Sequence, residues 1–142
     1  MRRLLFIMTL LMSLSIHAET QDGLGVNQVF TRYGHEKGCK MVEMHDTKLH
    51  GLKIKTYKSL TYKRIGKEVN DLLKNDRRSA KKIREVVTDG EVTSGYYMMP
   101  SLQKGLNRYI LFSTQEGGSG AVIFIEGNLQ PDDIIKLCYT RR

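Results

Sequence analysis

Hydrophobic residues in this chain change period several times, and each change marks a new element. After a polar, glycine-containing stretch, Val26, Val29, Phe30 and Tyr33 recur at helical spacing and predict a short amphipathic helix that stops at Gly34 or before Gly38. Lys40 to Asp46 then alternates, with Val42 and Met44 on one face and Met41, Glu43 and His45 on the other. Past a turn at His50 and Gly51, Leu52 to Tyr62 alternates again, with Leu52, Ile54, Leu60 and Tyr62 in phase. These two strands are spaced as a hairpin.

Ile65, Val69, Leu72 and Leu73 fall at i, i+4, i+7 and i+8, opposite Lys63, Arg64, Lys67, Asn70 and Lys74, which is the strongest helical pattern in the chain. The polar stretch Asn75 to Ser79 ends it. A period of two returns at Ile83, Glu85 and Val87, and Asp89-Gly90 follows at once. An Asp-Gly pair between β-rich runs favours a two-residue hairpin, because both turn residues need positive φ. The returning strand is Glu91 to Met99, with a connection over Pro100 to Gly105. Asn107 to Thr114 and Ala121 to Glu126 are apolar on both faces, as central strands are, and Gly117-Gly118-Ser119-Gly120 turns the chain between them. Pro131 suits the first turn of a last helix, Asp132 and Asp133 suit its dipole, and Ile134, Ile135, Leu137 and Cys138 form its apolar side. Helix, two strands, helix, four-strand meander, helix implies an α+β fold: a mostly antiparallel sheet of about six strands with helices packed on one face.

The first eighteen residues stand outside this pattern. Arg2 and Arg3 precede an apolar run from Leu4 to Ile16 that is too short to cross a bilayer core, which takes about 20 helical residues. With Ala18 closing the segment, it reads as a cleavable export signal, with a signal anchor as the lesser alternative. Ile16 at the minus-three position is larger than the usual occupant. The expected organisation is residues 1–18 signal peptide, 19–25 flexible leader and 26–142 a single α+β domain, placed in the periplasm or secreted after cleavage near Ala18.

Charge adds a second asymmetry. The chain carries 23 Lys and Arg against 15 Asp and Glu, and the signal holds only two of the cations, so the basic excess survives its removal. Between Lys48 and Arg84 there are thirteen basic residues and only three acids, Glu68, Asp71 and Asp76. Two cysteines, Cys39 and Cys138, lie near opposite ends of the exported part. An oxidising compartment permits a disulfide between them, worth up to about 5 kcal/mol for a loop of roughly 100 residues in the chain-entropy model. Two buried free thiols are the equal alternative.

The element order, the Asp89-Gly90 hairpin and the ending Ile123-Phe124-Ile125-Glu126-Gly127-Asn128 resemble a family of small periplasmic or secreted proteins of Bacteroidetes-type bacteria, known as a domain of unknown function. The resemblance spans residues 24 to 138. It implies a fold and a compartment, and it makes a non-enzymatic envelope role the default; it implies no catalytic residues, and Cys39 and Cys138 are not part of the shared pattern.

Candidate chemistry is sparse. His35, Cys39, Met41, Met44, His45 and His50 form the densest set of soft metal ligands, but they lack the paired short spacing of a zinc site, and no metal or cofactor is expected. Ser119 follows glycines as a hydrolase serine does, yet a strand follows it where a nucleophile elbow has a helix. Gly23-Leu24-Gly25 lacks the third glycine of a dinucleotide fingerprint. An enzyme would need a cleft assembled from distant residues such as Glu43, His45 and Tyr109. The cationic stretch has the most functional content: Lys63, Arg64, Lys67, Lys74, Arg77 and Arg78 form a candidate basic patch, flanked by Lys53, Lys55, Lys81 and Lys82 with Tyr57 and Tyr62 interleaved. Its expected partner is an envelope protein or an anionic envelope surface; export argues against nucleic acid. The competing reading is a solvated helix beside a lysine-protected edge strand.

Overall fold

The computed structural model describes residues 23–139; the signal segment and most of the leader lie outside the described residues. Along the chain come α1 (Gly25–Tyr33), β1 (Lys40–Leu49), β2 (Leu52–Tyr62), α2 (Gly66–Ser79), β3 (Lys81–Thr88), β4 (Glu91–Gln103), β5 (Leu106–Thr114), β6 (Gly120–Gly127) and α3 (Pro131–Tyr139). The strands form one antiparallel sheet in the spatial order β1-β2-β6-β5-β4-β3. The predicted α+β architecture is therefore present: a hairpin, β1-β2, is joined through β6 to the meander β3 to β6. Helix α2 carries the chain from the end of β2 to the far edge at β3. The β1-β2 and β3-β4 hairpins use the same turn chemistry, with positive φ at His50 (50°) and Gly51 (79°) and at Asp89 (52°) and Gly90 (80°).

Strands β5 and β6 lie at the centre of the sheet, and their two-sided apolar pattern requires cover on both faces. On one face, α1 and α2 bury Val26, Val29, Phe30, Val69 and Leu73 against Leu60, Tyr62, Tyr97, Ile110, Phe112, Val122 and Phe124. On the other, Leu129 and Ile134 of the α3 region pack on Ile54, Tyr109, Leu111 and Ile125. The expectation of helices on one face thus applies to α1 and α2 and is corrected for α3, because Tyr109, Leu111 and Ile125 would otherwise face water.

Strand β2 departs from simple alternation. Ile54 pairs with Gly127 while Thr56 pairs with Glu126, so Lys55 is an extra residue in a bulge. One extra residue exchanges the faces of everything beyond it. Ile54 consequently joins the α3 face, while Leu60 and Tyr62 join the α1/α2 face, instead of all sharing one side.

Two elements run longer than the sequence pattern suggests. Helix α2 continues through Asn75 to Ser79 because that segment has tertiary anchors: both Asp76 carboxylate oxygens accept backbone N–H bonds, from Gly25 and Val26, at 2.8 Å each, and the Arg77 guanidinium lies 5.5 Å over the Phe112 ring. Strand β4 runs past Pro100 to Gln103, with its pairing to β5 interrupted between Met99 and Gln103, where a proline without an N–H is tolerated. The two covering helices approach closely at Gly25, where a Cβ would lie 1.8 Å from the Leu72 carbonyl oxygen. Only glycine fits there.

Cys39 is a free cysteine packed at the margin of the α1/α2 core. Helix α3, which carries Cys138, covers the opposite face of the sheet. The Cys39 to Cys138 bridge considered from sequence is accordingly replaced by a free thiol at Cys39.

Candidate functional site

Lys67, Asp71, Lys74 and Arg78 fall at i, i+4, i+7 and i+11 of α2, so they share one stripe, and all four are exposed. Lys63 and Arg64 are exposed in the connection that precedes the helix. Within the stripe Lys74 Nζ lies 3.4 Å from Asp71 Oδ1, and both side chains remain more than half exposed. Such a pair contributes a few tenths of a kcal/mol, about 0.2–0.5, and leaves the ammonium accessible.

Arg77 does not belong to this surface. Besides lying over Phe112, it donates from Nη1 to the Asn70 carbonyl at 3.3 Å, and it is half-buried. Its role is packing, as an amphipathic side chain laid along the core margin. The interleaved tyrosines leave the patch as well: Tyr62 is buried in the α1/α2 core with its hydroxyl 2.6 Å from Thr114 Oγ1, and Tyr57 packs on the α3 face. Lys82 pairs with Glu85 at 3.1 Å beside α2, whereas Lys81 sits opposite Met98. The structure therefore aligns Lys67, Lys74 and Arg78 on one exposed stripe, leaves Lys63 and Arg64 exposed just before the helix, and commits Arg77 to the core margin.

A second charged feature lies inside the fold and was not singled out by its spacing. The cross-strand row Thr56, Glu126, Arg108 and Met99 runs over β2, β6, β5 and β4 beneath the end of the sandwich where α1 begins and α2 ends. Thr56, Glu126 and Arg108 are all buried, as are Lys58 on the next row and Asp76 above. Glu126 and Arg108 stand directly opposite each other, Arg108 donates from Nε and Nη2 to the Pro100 carbonyl, and Thr56 Oγ1 donates to Glu126 Oε1 at 3.5 Å. Burial pushes the Arg108 guanidinium down from its ordinary value, and Glu126 and Asp76 act against that shift. Burial likewise raises the Asp76 carboxyl, opposed by the two α1 amides and by Arg108 and Arg77. Opposite charges alternate here with almost no exposed surface, which is the arrangement of a structural network.

At the β1 edge Lys58 Nζ lies 3.3 Å from Glu43 Oε1, and His45 Nε2 lies 3.2 Å from the same oxygen. Burial raises the Glu43 carboxyl, but the His45 hydrogen bond and the Lys58 charge outweigh it and the net shift is downward. A carboxylate held ionised by the Lys58 ammonium and a hydrogen bond to an imidazole is a poor general acid. The third member of the candidate enzymatic cleft is elsewhere: Tyr109 is fully buried on the α3 face and donates to the Leu129 carbonyl at 2.6 Å. Glu43, His45 and Tyr109 do not converge.

The candidate metal ligands also diverge. Met41 packs on the α1/α2 core, His50 sits in the β1-β2 turn, and Met44 pairs with Tyr57 on the α3 face. Among the described residues no group of three or more His, Cys, Asp or Glu side chains is placed to hold a metal ion. No helix among them is long and apolar enough to cross a membrane.

A family model covers almost the whole of this architecture, matching residues 13–138. The chain belongs to DUF6108, a family of unknown function. No curated protein and no solved structure matches it. DUF6108 membership supplies no activity and no functional residues, so the reading of this protein rests on its surface and its interior.

Proposed function

We propose that this DUF6108 protein is an exported, non-enzymatic binding module, residues 26–142 acting as one domain, that docks on an anionic surface of the cell envelope through α2. The observation that carries the reading is the stripe Lys67, Lys74 and Arg78, continued by Lys63 and Arg64, with Asp71 as the acid between them. Residues 1–18 have the composition of an export signal, which supplies the compartment. The buried charges inside the fold are committed to one another, and among the exposed cations Lys67, Lys74 and Arg78 are the ones aligned along one face of a helix.

Each Lys or Arg near an anionic bilayer contributes about 1 kcal/mol, attenuated over a Debye length. Reversing Lys67, Lys74 and Arg78 to Glu should therefore weaken binding to phosphatidylglycerol-containing vesicles by about two orders of magnitude or more. Co-sedimentation at low and high salt reads this directly. Binding that ignores both salt and the triple reversal would refute the assignment.

A further inference from the structure

The end of the sheet beyond the buried charge row carries cations that no neighbouring acid neutralises. A recess of about 400 Å³ there is lined by Lys48, Lys53 and Lys55, with Asp46, Thr47 and Asn128 also on its wall. The three lysines and Asp46 are exposed, and among the described residues none of the four makes an ion pair or a side-chain hydrogen bond. The acids of the adjoining rows are committed elsewhere: Glu43 to Lys58 and His45, Glu126 opposite Arg108, and Asp76 to the first amides of α1. The recess therefore sets three ammoniums against one carboxylate, two net positive charges.

Strand register gathers these cations at an electrostatic cost. Lys48 and Lys53 are direct cross-strand partners, so their side chains leave the same face with Cβ atoms about 4.5–5.5 Å apart, and like charges so placed repel. Between the His45-Thr56 and Thr47-Ile54 pairs the ladder skips a step, where Asp46 takes positive φ (49°) and Lys55 forms the bulge against β6. A bulge re-aims its side chain, and this one sets Lys55 on the wall that Lys48 and Lys53 also line. Protection of a sheet edge does not account for the set, because β2, which carries two of the three lysines, is an inner strand between β1 and β6. An anion between the ammoniums turns the repulsion into attraction.

The lining also selects among anions. It has ammoniums and no guanidinium, so it offers point charges to a tetrahedral oxyanion and lacks the planar fork that matches a carboxylate. A phosphomonoester carries about 1.5–2 negative charges at neutral pH and so balances the recess, whereas a carboxylate leaves a positive charge uncompensated. We propose that this recess binds the phosphate of a small phosphomonoester between Lys48, Lys53 and Lys55, with Thr47 and Asn128 flanking the organic part. Its volume, at the lower end of the range of about 300–1,000 Å³ for small-ligand pockets, leaves room for a few carbons beside the phosphate. The site uses no residue of the α2 stripe and does not depend on it.

The test is a titration of the purified protein with glycerol 1-phosphate, and in parallel with glycerol and with acetate, at physiological ionic strength, where charges more than about 8 Å away are screened. Backbone amide NMR should show saturating shifts at Thr47, Lys48, Lys53, Lys55 and Asn128 with the phosphate alone. Lys48→Gln combined with Lys53→Gln should weaken binding by about tenfold or more, while reversal of Lys67, Lys74 and Arg78 to Glu should leave it within about threefold. Asp46→Asn keeps a residue type that tolerates positive φ and removes the one opposing charge, so it should tighten binding by about threefold, a gain that misfolding cannot imitate. Non-saturating shifts, equal shifts with acetate, unchanged affinity in the double Gln variant, or weaker binding in Asp46→Asn would overturn the site. A loss in the α2 reversal as large as in the double Gln variant would overturn its independence from α2. Vesicles containing phosphatidic acid separate the two sources of the phosphate: binding of vesicles but not of glycerol 1-phosphate, lost in the double Gln variant, would assign it to a lipid head group, and binding of neither would overturn the proposal.

Discussion

Helix α1 is held by a residue fifty positions away, and removing that residue gives the sharpest test of the fold. The position before the helix is Leu24, which makes no side-chain cap, so the first N–H groups of α1 have no local acceptor. Asp76 supplies both acceptors from α2, with Oδ1 on the Gly25 amide and Oδ2 on the Val26 amide, each at 2.8 Å. Asp76 and Val26 are buried, whereas Gly25 is partly open and its amide can turn to water when the carboxylate is removed. One amide fully orphaned at about 1–3 kcal/mol and one partly compensated give about 2–4 kcal/mol for Asp76→Ala. Asp76→Asn keeps one acceptor oxygen and should cost about half as much. Against a total stability of about 5–15 kcal/mol, the alanine variant should show a clear fall in urea midpoint at unchanged slope and a melting temperature lower by roughly 10 °C. Asp71→Ala, which removes an exposed pair on the same helix, is the control and should shift stability by less than about 0.5 kcal/mol.

The pH dependence has a definite sign. Burial raises the Asp76 carboxyl above its unfolded value of 3.8, so between that value and the raised one the native state holds the proton more tightly than the unfolded chain. The contribution from this group is therefore full below 3.8 and declines as pH rises through the folded value. Asp76→Asn should remove that decline. A wild-type midpoint matched by Asp76→Ala, or a loss no greater than that of Asp71→Ala, would refute the latch between α1 and α2.

Three further outcomes are expected. Tyr97 donates its hydroxyl to Glu85 Oε2, which holds the Glu85 carboxyl below its ordinary value; Tyr97→Phe should raise it toward 4.5 by carboxyl NMR titration, and the stability this bond contributes in the wild type, about 1–2 kcal/mol, should be lost as pH falls from 4.5 through the lowered value. Gly95→Ala places a Cβ 2.4 Å from the Tyr97 ring, so it should destabilise by about 1–3 kcal/mol in urea unfolding, and by much less in a Tyr97→Ala background where the ring is gone. Arg108→Met leaves Glu126 buried without its cross-strand partner and should cost about 3–5 kcal/mol, whereas the double variant Arg108→Met with Glu126→Leu should recover most of the loss; a double variant as unstable as the single one would contradict the pairing.

Period and turn chemistry made much of this architecture readable from the chain. The two-sided apolar runs at Asn107 to Thr114 and Ala121 to Glu126 mark the central strands, and Asp89-Gly90 marks a hairpin whose φ values have the required sign. Three features escaped that reading. The bulge at Lys55 is an interruption of pairing with β6, so no local pattern in β2 announces it. The C-terminal half of α2 has poor intrinsic signals and is stabilised by contacts to Gly25, Val26 and Phe112 that lie far away in sequence. Arg77 looked like one more surface cation for the same reason.

The buried charges are the more instructive omission, because a signal for them was present. Once the bulge is allowed for, Thr56 and Lys58 alternate in phase with Leu60 and Tyr62, Arg108 with Ile110 and Phe112, and Glu126 with Val122 and Phe124. A charged residue continuing the inward phase of an apolar strand is either a misplaced charge or half of a buried pair. Pairing resolves which: β5 and β6 set Arg108 opposite Glu126, and β1 and β2 set Glu43 opposite Lys58. The same rows decide the exposed side of the molecule. They assign the inward cations to structure, leave Lys67, Lys74 and Arg78 on α2 as an open basic surface, and set Arg84 opposite Tyr96 on the other face. Strand register and helical phase thus separate the inward charges from the α2 stripe and from Arg84, and composition alone, which counts only a basic excess, cannot.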